Sequence, residues 1–220
     1  MKPFRFLLFP RRGEALRADF HLDQLPPRPI LTAKMWMLRF FAFSLIFVLV
    51  SPRGFSLTPQ QRFDQAMVAL GNATTEEQRF YELGRAAKMS FEIGRFDDAR
   101  KYALELQALL PKFEENWNYG NAVHDANLVL GRLAVREGRI EDAKKYLLQA
   151  GNSPGSPQLE VFGPNMSLAK DLLVKAEGET VLQYFELCRK FWKADDGQLD
   201  EWKNEVKAGR IPKFGANLSY

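Results

Sequence analysis

Five polar side chains close together in the chain have types that can act jointly: Asn118, Asn121, His124, Asp125 and Arg132. An imidazole beside a carboxylate is the minimum for general acid–base chemistry. Amides with an arginine are instead the usual means of holding a peptide or a small polar ligand. The rest of the chain narrows the choice. After residue 56 there is one histidine, His124, and one cysteine, Cys188, 64 residues apart. That supports neither a zinc ligand set nor a Cys-His nucleophile pair. No glycine-rich phosphate loop, no Gly-x-Ser-x-Gly and no dinucleotide fingerprint occurs. The acidic pairs Asp97-Asp98, Glu114-Glu115 and Asp195-Asp196 are sequence neighbours. Neighbours on a helix point about 100° apart, so they do not converge on one substrate atom. Neither cofactor nor metal is expected, and Cys188, among Tyr184, Phe185 and Phe191, reads as core packing.

The elements that must hold the five residues are helices, and one phrase sets their frame. Gly94-Arg-Phe-Asp-Asp-Ala-Arg-Lys-Tyr102 returns as Gly138-Arg-Ile-Glu-Asp-Ala-Lys-Lys-Tyr146. Self-similarity of this kind marks a repeat architecture. Each glycine sits between two helix-periodic runs, where a helix ends in a left-handed residue. Ala87 stands seven residues before Gly94 and Ala99 five after it, and Pro111 closes the unit. Gly131 and Ala143 hold the corresponding places around Gly138. Small residues at these places let antiparallel helices approach closely.

These residues resemble the tetratricopeptide repeat. The resemblance implies an all-α fold: a right-handed stack of antiparallel helix pairs, a TPR-like α-solenoid, with a C-terminal helical cap. It also implies a concave face on which members of that family bind partners. Two features depart from the pattern. The usual aromatic of the first helix is absent, and the two copies lie 44 residues apart where the family period is about 34. The resemblance carries fold well and function hardly at all.

Repeats are expected over about 75–111 and 116–151, a degenerate helix pair over 165–194 turning at Gly178, and a final helix over 197–209. Thr58 with Gln61 and Thr75 with Gln78 read as capping boxes. The stretch Lys112–Ala126 is expected to lengthen the second repeat's first helix, placing Trp117, Asn121, His124 and Leu128 on one face. Residues 151–165 read as a long loop without structure, either functional or a linker. Asn165 is the expected N-cap of the next helix, and the tail from Ile211 to Leu218 is expected to fold back.

The amino-terminal part is different in kind. Residues 1–56 hold nine Lys or Arg against three Asp or Glu, and the remainder holds 22 against 24. The basic balance therefore belongs to the leader and gives no reason to expect nucleic acid. Residues 1–34 read as an extension without periodic structure. Residues 35–56 read as a signal peptide, with the apolar run Phe40–Val50 and a cut after Ser56; a membrane anchor is the alternative. Export to the cell envelope, periplasmic or extracellular, follows from the first reading, and membrane contact only from the second. The domain proper is then 57–220. The expected function is a non-catalytic scaffold that binds a protein or peptide partner through Asn118, Asn121, His124, Asp125 and Arg132. The alternative is an enzyme or small-ligand receptor built on His124 and the 151–165 loop.

Overall fold

The computed structural model describes residues 57–219. The extension over 1–34 and the leader over 35–56 lie outside the described residues. Those described are all-helical: nine packed α-helices and two 3-10 turns, without a strand.

Helix α1 spans Pro59–Asn72 and α2 spans Glu76–Glu92. Both start at reciprocal capping boxes. Gln61 N–H donates to Thr58 Oγ1 at 3.2 Å while Thr58 N–H donates to Gln61 Oε1 at 2.9 Å. Thr75 and Gln78 repeat the exchange. Two donors that a helix start leaves unpaired are thus met at each end. Helix α3 is Phe96–Leu109, and Pro111 lies in the 3-10 turn Leu110–Lys112 that ends it. Helix α4 is Tyr119–Arg136 and α5 is Ile140–Gly151. Helix α6 is Pro157–Phe162, α7 is Ser167–Val174, α8 is Gly178–Cys188 and α9 is Gln198–Lys207.

Three helix pairs close through one turn. At α2–α3, Gly94 has φ 81°, its N–H donates to the Phe91 carbonyl, and Arg95 N–H reaches back to Ser90. At α4–α5, Gly138 has φ 76°, with Val135 and Ala134 as the acceptors. At α7–α8 the same two bonds run from Ala176 to Leu173 and from Glu177 to Leu172, and Ala176 has φ 64°. The second helix of each pair begins two residues after the left-handed position. The expected turn at Gly178 is therefore corrected: Gly178 is the first residue of α8, and the turn is made at Ala176. Counted from Ala176, the place seven residues earlier is Ala169 and the place five later is Val181, both fully buried.

Close packing explains the small residues. Ala87, Ala99 and Ala143 are fully buried. A Cβ at Gly131 would overlap Leu168 and stand 3.0 Å from Tyr146 Cβ. Helix α4 is the hub, packed against α2, α3, α5, α6 and α7; α8 lies on α5 and α7, and α9 on α8. Tyr184, Phe185, Phe191, Trp192, Trp202 and Phe214 form an aromatic core at the carboxyl-terminal side. Phe214 arrives there because the tail folds back, as expected. Asn217 then donates to the carbonyls of Phe162 and Pro164 at 3.1 and 3.0 Å.

Two further expectations are corrected. The segment 151–165 is not structureless: Ser156 Oγ accepts from Leu159 N–H at 3.1 Å and caps α6, with Pro157 in the first turn. Helix α4 does not begin at Lys112. Residues 113–118 form turns, so Trp117 lies outside the helix, 55% exposed, and stacks on Tyr81 at 5.6 Å between ring centroids. Asn165 comes close to its expected role: it lies one residue before the helix's flanking position, and its Oδ1 accepts from Ser167 N–H at 2.9 Å.

Candidate functional site

A cavity of about 460 Å³ opens between α2, α4 and α6. Its position follows from the turn-rich segment after α5. Ser153 Oγ donates to the Gly120 carbonyl at 2.7 Å, and Gly120 has no side chain to block that approach: a Cβ there would overlap the Gly155 carbonyl. The segment is thereby drawn over the start of α4 and carries α6 across the gap to α2. Phe80, Leu106, Ala122, Leu159 and Phe162 are the apolar side chains of the wall, with Tyr81 beside them. Phe162 is 62% exposed and stands at the mouth.

Three of the five singled-out residues line this cavity: Asn118, Asn121 and Asp125. Asn121 is the clamp between α4 and α6. Its amide donates to Asn118 Oδ1 at 2.8 Å and to Gln158 Oε1 at 2.9 Å, and its oxygen accepts from Ser156 Oγ at 2.6 Å. Both of its donors are thereby engaged, so it holds the wall rather than a ligand.

Asp125 closes one end. Its Oδ2 lies 2.7 Å from Lys88 Nζ, with the two side chains 16% and 19% exposed. Gly84 makes room, since a Cβ there would stand 2.8 Å from Oδ2. Burial pushes the Asp125 carboxyl up, but the Lys88 ammonium and the His124 contact outweigh it. The net result is a carboxyl held below its ordinary value.

His124 and Arg132 are corrected. His124 is buried and does not line the cavity. Its Nε2 lies 3.3 Å from Tyr184 Oη, and its Nδ1 lies 3.4 Å from Asp125 Oδ1. The reason is the 100° step per residue: Asp125 faces α2 while its neighbour faces α8. Arg132 lies seven residues beyond Asp125, about 10 Å along the axis, where α7 has replaced α6 as the neighbour. Its Nε donates to Asp171 at 2.8 Å, and its guanidinium stacks over Phe91 at 4.2 Å.

Sequence reasoning missed Arg85, Lys88 and Gln158, all in the cavity wall. Lys88 had a readable signal, for it follows Gly84 by one helical turn on the face that α4 must meet. Gln158 had none, because its place depends on the fold of the preceding turn. Cys188 is fully buried, and burial pushes its thiol up, as suits a packing residue. Among the described residues no group of His, Cys, Asp or Glu is placed to hold a metal. No described helix is long and apolar enough to cross a membrane. A scan against protein-family models, a search of curated proteins and a search of solved structures each return no match.

Proposed function

We propose that this chain is a non-catalytic binding module of TPR-like α-solenoid build, capped by α9 and exported to the cell envelope, that takes a protein or peptide partner between α2, α4 and α6. The thrice-used turn, with a small residue seven positions before it each time, supports the solenoid reading. The observation that carries the binding reading is the cavity itself: an apolar hollow with the exposed Phe162 on its wall and the exposed Trp117 stacked on its Tyr81. Concave, mostly apolar hollows with a few polar groups are where ligands bind. Signal-like residues 35–56 support export. Asn118 and Asp125 stay in the partner-facing set, Asn121 becomes its clamp, and His124 its buried backing.

A photo-crosslinking residue at position 162 tests this in the native host. One discrete partner should be captured there and not from the exposed Val174. The purified partner should then slow amide exchange in α2, α4 and α6. Equal capture from both positions, or no protection, ends the reading. A second reading, a small-ligand receptor, is favoured by one observation: the volume falls within the range of about 300–1,000 Å³ typical of such sites.

A further inference from the structure

The cavity's polar side chains differ in what they leave unused. Tyr81 Oη donates to Glu77 at 3.0 Å and accepts from Asn116 at 2.8 Å. Asp125 has one oxygen on Lys88 and the other against His124. Asn118 Oδ1 and Gln158 Oε1 both accept from Asn121, which turns their NH₂ groups away from it. Those two NH₂ groups have no acceptor among the described residues. Arg85 meets only the neutral Gln65, at 3.2 Å, and has no carboxylate within ion-pair distance among the described residues. Asn118, Gln158 and Arg85 therefore each turn N–H donors toward the cavity. Of the three charged groups on the wall, Lys88 and Asp125 offset each other, which leaves the Arg85 guanidinium in excess.

Resting on the reading that this cavity is the binding site, we propose that it holds a free medium-chain carboxylic acid, its chain against Phe80, Leu106, Leu159 and Phe162 and its carboxylate on Arg85. Apolar walls select a chain without polar atoms, because a buried acceptor or donor without a partner is unfavourable. A rim of donors with an excess guanidinium selects an anionic, acceptor-only head. The hollow is lined from α2, α3, α4 and α6 and has the size of a small-molecule site, which suits a free acid.

Isothermal titration of the full chain with dodecanoate, dodecanol and dodecylammonium tests it. Dodecanoate should bind once per chain, at least about tenfold more tightly than dodecylammonium. Arg85 is exposed, so Arg85→Gln should keep the fold, checked by circular dichroism; it should weaken dodecanoate about tenfold and leave dodecanol unchanged. Absent saturable binding of dodecanoate, equal affinity for the three amphiphiles, or indifference to Arg85→Gln overturns the proposal. The outcome separates from the partner reading. Capture from position 162 without dodecanoate binding sinks only the carboxylic acid; selective dodecanoate binding without capture sinks only the protein partner.

Discussion

The core around α2, α3 and α4 and the core around α8 and α9 bury apolar surface by different means. Around α2, α3 and α4 the core interleaves alanines, Ala86, Ala87, Ala99, Ala103, Ala122 and Ala126, with as many leucines and with Phe80 and Val129. The alanines let the helix backbones come close there, and the leucines fill the space between. Around α8 and α9 the core is aromatic. Trp202 lies 4.9 Å from Phe214, 5.6 Å from Trp192 and 6.2 Å from Phe185, centroid to centroid. Small-residue packing tolerates no added volume, whereas aromatic packing tolerates no loss. The cavity lies at the alanine side, roofed by a segment tied down at both ends.

Deletion in the aromatic core should show the largest effect. Trp202→Ala should cost about 4 kcal/mol by urea unfolding. Leu106→Ala, fully buried on the alanine side, should cost about 3 kcal/mol. Equal or reversed values would remove the contrast between the two cores.

Addition should act the other way round. Gly120→Ala forces a Cβ into the Gly155 carbonyl, which is backbone and cannot rotate aside. A loss of about 3 kcal/mol is expected, with faster amide exchange in 153–162 than elsewhere. Uniform exchange would mean that the segment is not held at this point.

The Lys88–Asp125 pair comes next. Asp125→Asn leaves a half-buried ammonium without its counter-charge and should cost about 2 kcal/mol at neutral pH. The folded Asp125 carboxyl lies below its ordinary value of 3.8. Its contribution is thus fully present above that value and is lost as pH falls through the depressed folded one. The gap between wild type and Asp125→Asn should hold steady from about pH 7 to about pH 5 and close only below about pH 4. A gap that closes near neutrality would place the titration on another group.

The contrast also explains what could be read from the residues alone. The helices other than α6, both capping boxes and the turns at Gly94 and Gly138 were legible, because each depends on residues within one or two turns of sequence. Asn118, Asn121 and Asp125 line one cavity because they recur every three or four residues at the start of α4. Arg132 was wrongly added: periodicity carries no record of which neighbour a face meets further along the axis. His124 was misplaced because its burial depends on Tyr184, 60 residues away. The cap of α6 was present in Ser156-Pro157 and was obscured by the turn residues before it. The third turn was placed two residues late because its left-handed position is an alanine and the nearest glycine is Gly178.

That substitution gives the smallest prediction and the sharpest. Gly94 and Gly138 are left-handed, and a Cβ at either would meet nothing closer than 3.9 Å. Replacing either by alanine therefore tests the backbone alone, and each should lose about 1 kcal/mol. Ala176 already carries that strain at φ 64°. Ala176→Gly should relieve it and gain about 0.5 kcal/mol, less than the strain because glycine gives the unfolded chain more freedom. Opposite signs at positions 94 and 176, measured in the same denaturant series, require the same turn geometry at both. Loss at both positions would mean that the Ala176 methyl makes a contact worth more than its strain, and the third pair would then close by packing rather than by its turn.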